Sequence, residues 1–480
     1  MSLSATLNTT RNIFYNTAAQ STVVSSNIQN ASNPDFNKRS VTTTVDVVTG
    51  AVLLDTVRSE DKALLKESLN ATSADSAQQR LLEGMESVSS LLGGTEYTLS
   101  PSGYLSTLRD TLQTYSETPG DVTLAQSVIN AAQDVSTSLN TISDGVQALR
   151  TEADAEIAEN VSTLNDLLAE FEKANNAAKK ATATGADPSN AEDKRNAIIK
   201  KIAEIIGVST FPRPGNDVAL YTSNGVTLFE TTARKVSFTP TAAFDASSSG
   251  NSVYIDGVKL ESGSGASTTA KGSIQALMQL RDDVLPTIQD QADEIARGAI
   301  ALFAETDGSG NKVAGLFTTK TATAVAFDTA TIIPGLASSI TVNPAAVASP
   351  LKLRDGSIAG VSANTTNASG FSDVLQDYLT AFETPTTFDG ASKLATGVTL
   401  LNFSTDFVGW IEEFRSDATN AAETTSALQT RATEAYSNDT GVNLDEQLIL
   451  LLDIEQSYKA ASKLLSTVDE MMKALLAAAG

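Results

Sequence analysis

The sequence predicts a mainly α-helical protein with an inserted β domain. Apolar residues recur at heptad spacing over long interior and C-terminal stretches, which is typical of packed helices. Two interior stretches are instead rich in β-branched residues and turn dipeptides. Both chain ends carry an amphipathic stripe. We therefore expect terminal α-helices that form a coiled coil, a long helical bundle and a small β-rich outer domain.

The N-terminal stripe is thin. Its apolar members are Leu3, Leu7, Phe14, Val24 and Ile28, and Thr or Ser fills the other positions of the seam. The stripe ends before Asn33-Pro34, where proline disfavours a continued helix. We expect one amphipathic helix over this segment.

The C-terminal stripe is much stronger. Asn443 with Glu446 three residues later indicates a helix start, and about 36 residues of helix, ~54 Å long, follow. The stripe exceeds what the N-terminal helix can cover, so we expect burial against other molecules. The candidate assembly interface comprises Leu3, Leu7, Phe14, Val24, Ile28, Leu451, Ile454, Tyr458, Leu465, Val468, Met472 and Leu475.

The interior divides into helical and β-rich stretches. A heptad pattern runs from Val128 to Phe171, and 191–206, 272–304, 371–383 and 404–436 also have helical patterns. The predicted domains are a terminal coiled coil (1–50 and 437–480), a helical bundle (51–206, 272–304 and 371–436) and a β-rich outer insertion (207–271 and 305–370).

Two turn dipeptides indicate hairpins in the β-rich stretches. Asn224-Gly225 lies within Val218 to Phe229, and Asp256-Gly257 separates two short β-branched runs. Both dipeptides favour type I′ turns.

Composition excludes several kinds of chemistry. The 480 residues include no Cys and no His, so a Ser-His-Asp triad, a His metal ligand and a thiolate zinc site are excluded. With 33 Lys and Arg against 57 Asp and Glu, the net charge is −24, which disfavours nucleic acid and anionic membranes as partners. The N-terminus has no basic region followed by an apolar core, so we expect no cleaved signal peptide.

No segment predicts catalysis, a cofactor or a metal site. The stretch from Asp307 to Lys312 lacks the Gly and Glu positions of a calcium loop and predicts a plain turn. Lys194, Arg195, Lys200 and Lys201 are balanced by Glu192, Asp193 and Glu204, which predicts a salt-bridged surface. We expect a protein that is not an enzyme.

Both ends and parts of the interior resemble bacterial flagellar axial proteins. The N-terminal segment 26–39 resembles their Asn-rich signature, with Asp35-Phe36 in place of Gly-Tyr. The segments 441–446 and 456–463 resemble their closing helix, with Ser457 in place of Ala. Within the interior, 192–199, 272–286 and 340–344 resemble the family of hook-associated proteins at the hook–filament junction.

The resemblance implies a structural role. Such a protein is exported through the flagellar type III pathway without a cleaved signal and polymerises outside the cell at the distal end of the hook. The implied partners are further copies of the chain, the hook protein, the second hook-associated protein and a cytoplasmic chaperone on the C-terminal helix. The alternatives are a hook or second hook-associated protein, a secreted coiled-coil adhesin or effector, and a hydrolase on the β insertion.

Overall fold

The computed structural model describes residues 3–45, 52–321, 327 and 329–479. Its helices are α1 Leu3–Gln29, α2 Lys62–Leu91, α3 Pro101–Glu117, α4 Val122–Thr184, α5 Ser189–Ile205, α6 Ser273–Gln279, α7 Leu285–Leu302, α8 Leu336–Ser339, α9 Pro344–Ala348, α10 Leu351–Asp355, α11 Asp373–Glu383, α12 Leu400–Thr440 and α13 Leu444–Ala479. Short 3₁₀ turns cover Gly94–Glu96 and Gly390–Ser392, and a π turn at Leu280–Val284 joins α6 to α7.

The strands are short and pair only in antiparallel fashion. They are β1 Arg39–Val45, β2 Val52–Arg58, β3 Val208–Arg213, β4 Asp217–Thr222, β5 Thr227–Phe229, β6 Val236–Ser237, β7 Tyr254–Ile255, β8 Val258–Lys259, β9 Glu305–Thr306, β10 Lys312–Val313, β11 Phe317–Thr319, β12 Ile340–Val342, β13 Thr386–Thr387 and β14 Gly397–Val398. Three-stranded sheets have the orders β3-β4-β5 and β6-β7-β8, and the other pairs are two-stranded. The predicted mainly α-helical fold with small β elements is confirmed.

The two predicted hairpins differ in their turns. Asp256 and Gly257 both have positive φ, 50° and 82°, as a type I′ turn requires. At the other hairpin only Gly225 has positive φ, 84°, so the type I′ prediction is wrong there. The Gly225 N–H instead donates to the Thr222 carbonyl, and the Val226 N–H donates to the Thr222 hydroxyl. The threonine side chain thus favours a longer turn, and the β4–β5 register shifts beside it.

The described chain forms two compact units, named here for their place in the sequence. The terminal unit comprises Met1–Ser73, Leu164–Lys235 and Ser426–Gly480, and the interior unit comprises Ala74–Thr163 and Val236–Thr425. Their charges differ. The terminal unit has 20 Lys and Arg against 23 Asp and Glu, a net −3, and the interior unit has 13 against 34, a net −21. The predicted division into three domains stays a prediction.

The interior unit has an apolar core built largely by helices. Its largest aromatic cluster centres on Phe303, whose ring lies 4.9 Å from that of Tyr378, 5.5 Å from Phe317 and 5.8 Å from Phe382. Within the π turn, the fully buried Arg281 forms an ion pair with Asp154 on α4. The ion pair offsets the hydration that the guanidinium loses on burial.

The terminal unit contains the two end helices, the β1–β2 ribbon, α5 and the β3-β4-β5 sheet. The ribbon pairs Arg39 with Arg58 at one end and Val45 with Val52 at the other. This ribbon was not predicted from the sequence. The continuous β-branched run at 41–45 is the signal that could have indicated its first strand.

Candidate assembly interface

The two chain ends pair as antiparallel helices. Asn27 of α1 contacts Gln447 of α13, and Phe14 contacts Tyr458 with ring centroids 5.1 Å apart at 72°. The contacting residue number thus decreases along α1, from 27 to 14, while it increases along α13, from 447 to 458. The two helices therefore run in opposite directions. The predicted pairing of the terminal helices is confirmed.

A narrow seam joins these helices. On α13 the buried residues Ile454, Ala461 and Val468 recur every seven positions, and on α1 the buried residues Thr10 and Thr17 are followed seven later by Val24. The Thr10 and Thr17 hydroxyls donate to the carbonyls of Thr6 and Ile13 within their own helix, so they need no partner across the seam. The Asn443 side chain caps α13 by accepting from the N–H groups of Asp445 and Glu446, as predicted.

The twelve predicted interface residues fall into two groups. Val24, Ile454 and Val468 are buried in the seam, and Phe14, Ile28 and Leu451 are partly buried. Leu7, Tyr458, Leu465, Met472 and Leu475 are 42–63% exposed. The side chain of Leu3 lies outside the described part of the chain. That these residues form an assembly interface stays a prediction.

The exposed apolar residues of α13 flank the seam on both sides. Tyr458, Leu465 and Met472 follow the buried seam positions by four residues. On the other side, Leu464 and Met471 follow Ala461 and Val468 by three residues, and Leu450 precedes Ile454 by four. At 100° per residue, these sets lie on opposite sides of the buried row. We call them the two flanks of α13. Large apolar side chains gathered on both sides of one seam are typical of a surface that other helices cover.

A polar cluster fixes the register at one end of the helix pair. The side-chain N–H of Asn27 donates to Gln447 and to the Arg39 carbonyl, both at 2.8 Å, and its oxygen accepts from the Arg39 N–H at 3.1 Å. Asn27 and Gln447 are 1% and 3% exposed. Because each amide has only one arrangement that satisfies its partners, the cluster specifies a single alignment of the two ends.

Asp193 of α5 connects the ribbon to the rest of the terminal unit. Its carboxylate accepts from Arg39 at 2.8 Å and from Arg58 at 2.6 Å, and these arginines face each other across β1 and β2. Two like charges in that position repel, and the shared carboxylate offsets this. Burial lowers the pKa of Arg58, but the hydrogen bond and charge of Asp193 outweigh it and the net pKa is raised.

The salt-bridged surface predicted around Lys194 and Arg195 is therefore only partly right. Asp193 and Arg195 are 8% and 4% exposed, so they belong to the interior of the terminal unit. The balance of charges within the segment could not reveal this, because the partners that bury these residues come from other elements, the ribbon and the β3–β4 hairpin.

Two further bonds tie the segment after α1 to the end of α12. The Asn37 side chain donates to the Tyr436 hydroxyl at 3.0 Å, and the Lys38 N–H donates to the Thr440 carbonyl at 2.7 Å. Asp193 was predicted as part of a salt-bridged surface, and no structural role was predicted for Asn27, Arg39 or Gln447. Asn27 and Arg39 do lie in the Asn-rich segment 26–39 that carried the resemblance.

Asp307, the first residue of the stretch up to Lys312 noted in the sequence, begins a turn. Asp307 accepts from the Ser309 and Asn311 N–H groups, at 2.8 and 2.9 Å, and so shapes the β9–β10 turn that was predicted there. Within the described ranges, no group of three or more Asp and Glu side chains is arranged to hold a metal ion. No described helix is both long and apolar enough to span a membrane.

Comparison with known families identifies the class. Residues 434–478, which contain α13, match the family described as "Flagellar basal body rod FlgEFG protein C-terminal", so the helix that pairs with α1 is that of a flagellar axial protein. Residues 85–319, close to half of the chain, match the family "Flagellar hook-associated protein FlgK helical domain". The chain belongs to the FlgK family of flagellar hook-associated proteins.

Among solved structures, the chain is similar to the flagellar hook junction protein FlgK from Burkholderia pseudomallei. The identity is 18% and the TM-score 0.43, over 53% of this chain and 46% of that chain. The alignment thus spans less than half the length of that protein. No curated protein matches the sequence. The resemblance drawn from the sequence segments is confirmed by the two family matches.

Proposed function

We propose that this chain is a structural subunit that polymerises with copies of itself at the distal end of the flagellar hook and joins hook to filament. The observation that carries the proposal is the pair of exposed apolar flanks on α13. A helix that is already paired on one face and still exposes Tyr458, Leu465 and Met472 has surface for further helices. Each large apolar side chain contributes roughly 1.5–3 kcal/mol when fully buried, so a few suffice to hold neighbouring subunits.

The family supplies the remaining parts of the proposal. The subunit works without catalysis, outside the cell, after export without a cleaved signal. Its neighbours are the hook protein and the second hook-associated protein, and a cytoplasmic chaperone covers α13 before export. The terminal helices form the inner layer, the helical bundle the next and the β-rich insertion the outer face.

Adjacent residues of α13 provide a matched test. Leu465 lies on an exposed flank, whereas the exposed Ser466 follows it on the polar side of the helix. Leu465→Glu and Ser466→Glu introduce the same charge one residue apart. In a strain that lacks the protein, we expect Ser466→Glu to restore motility and Leu465→Glu to fail.

Export must be separated from assembly. Measuring each variant in the culture medium does so, because a subunit that is exported but cannot polymerise is released. Leu465→Glu should therefore appear in the medium. Full motility with Leu465→Glu would rule out the flank as an interface. Immunogold labelling tests the location, since diffuse label instead of a band at the hook's end would favour a secreted adhesin or effector.

A further inference from the structure

A cavity of about 500 Å³ lies in the terminal unit, away from the α1–α13 pair. Its walls come from the start of α2, from α5 and from the β3–β4 hairpin. Lys62, Lys66, Arg195 and Arg213 bring four positive charges to its lining, and Glu60 and Asp217 bring two negative ones. The lining is thus net positive, in a chain whose net charge is −24.

Arg195 is the central cation of this cavity and is 4% exposed. Its guanidinium donates to the Asn175 side-chain oxygen at 3.1 Å and to the backbone and side-chain oxygens of Asn216 at 2.8 and 3.2 Å. All three acceptors are neutral. Among the described residues Arg195 has no carboxylate within ion-pair distance, whereas Arg39 and Arg58 share Asp193. Buried charges are normally paired.

Two buried donors in this wall also lack an acceptor. Neither Nε of Arg195 nor the side-chain N–H₂ of Asn196, which is 6% exposed, has a hydrogen-bond partner within the described residues. Buried polar atoms are nearly always hydrogen-bonded, so two unsatisfied donors on consecutive residues indicate an absent acceptor. Burial lowers the pKa of Arg195, and the negative charges of Glu192, Glu60 and Asp217 offset this only in part.

The carboxylates in the lining have cations of their own. Asp217 accepts from Asn175 at 2.7 Å and lies 3.0 Å from Arg213 and 3.6 Å from Lys179. Glu60 lies 3.9 Å from Arg58 and 4.0 Å from Lys62. Lys66, at the rim, is exposed. The charges in the lining without a carboxylate at ion-pair distance among the described residues are therefore those of Arg195 and Lys66.

We propose that this cavity is an oxyanion site that takes a carboxylate or a phosphate. The edge of a guanidinium suits such a group, because its N–H donors match two oxygens. Asn196 supplies a further donor, and Lys66 attracts the anion at the entrance. Lys62 adds to this attraction, although it also lies 4.0 Å from Glu60. The group can come from a free anion or from an Asp or Glu side chain of a neighbouring copy, whose interior unit carries a net −21.

Calorimetric titration of the full, unassembled chain with inorganic phosphate and with glutarate tests the site at low ionic strength. We expect both to bind and the double variant Lys62→Gln/Lys66→Gln to weaken binding on the order of five-fold or more, because each exposed cation contributes two- to five-fold. The matched control is Lys194→Gln, which removes an exposed charge from α5 outside the cavity lining. It should bind as the unmodified chain does.

Arg195→Lys completes the test, because it keeps the positive charge and removes the planar guanidinium group. It should weaken binding further while circular dichroism reports the same helix content. Absence of binding by the unmodified chain, or equal affinity in the lysine double variant, overturns the proposal. Neither result depends on polymerisation, so this site and the proposed function fail independently.

The source of the anion follows from assembly assays with added phosphate. If a carboxylate of a neighbouring copy occupies the site, phosphate competes and slows polymerisation, and it has no such effect on the lysine double variant. If a free anion is the natural occupant, phosphate leaves the rate unchanged or raises it.

Discussion

Asn27 and Gln447 are 420 positions apart in the sequence and share a buried hydrogen bond of 2.8 Å. The bond joins the last turn of α1 to the first turn of α13, and the same Asn27 amide binds the backbone of Arg39 on both its donor and acceptor sides. One side chain thus holds the first helix, the last helix and the start of the ribbon together.

Replacing Asn27 by alanine should loosen this arrangement. The change leaves the Arg39 N–H and the Gln447 amide buried without partners, which costs on the order of 1–3 kcal/mol for each unsatisfied group. We expect faster hydrogen exchange in α1 and the first turns of α13. Gln456→Ala, which truncates an exposed amide on α13, is the control and should exchange normally. Unchanged protection in Asn27→Ala would contradict the role given to the amide cluster.

Replacing Asp193 by asparagine should destabilise the terminal unit more strongly. The neutral side chain leaves Arg39 and Arg58 facing each other across the ribbon without their shared carboxylate. Breaking a buried ion pair on one side typically costs about 3–5 kcal/mol. Urea unfolding measures this loss, and Asp166→Asn, at an exposed position of α4, should change the midpoint little. Similar midpoints for the two variants would show that Asp193 is not a structural anchor.

Asp293 should make the stability of the interior unit depend on pH. Burial raises its pKa to about 7, despite hydrogen bonds from the Ala337 and Gly335 N–H groups and from Gln289. The folded state therefore holds this proton more tightly than the unfolded state between about pH 4 and pH 7, and stability falls as pH rises through that window. Asp293→Asn removes this contribution. The free energies of unfolding of the two proteins should differ by an amount that changes across the window. A constant difference would contradict the prediction.

Gly315 occupies a place where no side chain fits. A Cβ at this position would clash with the carbonyl oxygen of Phe303, a backbone atom that cannot rotate away. Gly315→Ala should lower the free energy of unfolding by about 1–3 kcal/mol, as overpacking does. Gly103→Ala is the counterpart, because on α3 an added Cβ meets nothing within 4 Å. The helix should gain up to about 1 kcal/mol there. Thermal unfolding of both variants measures the contrast.

Local signals in the sequence were sufficient to predict α13 and the interior of α4, whereas α3 and the short helices α8, α9 and α10 were not predicted. Asn443 and Glu446 indicated the start of α13 because a cap acts within one turn. The heptad pattern from Val128 to Phe171 predicted the interior of α4, since helical periodicity is a property of contiguous residues.

The polar interior of the terminal unit could not be predicted in that way. Asn27, Arg39 and Asp193 are surface-type residues by composition, and they are buried only because three distant segments meet around them. Thr10 and Thr17 likewise made the N-terminal stripe look incomplete. They form the seam because each hydroxyl is satisfied by its own helix. The turns at Asn224-Gly225 and Asp256-Gly257 also differ in type, although both dipeptides predict the same turn. The hydrogen bond to the Thr222 side chain changes the first of them.

The antiparallel pairing of α1 with α13 sets an order of events in time. Ribosomes add about 5–20 residues per second, so the first helix exists for roughly 20–90 s before its partner has been made. During that interval the apolar face of α1 has no α13 to pack against. Bringing two segments together across more than 400 residues also costs conformational entropy, which delays the pairing. Helix α1 can therefore reach its final contacts only after α13, more than 400 residues later in the chain, has been made.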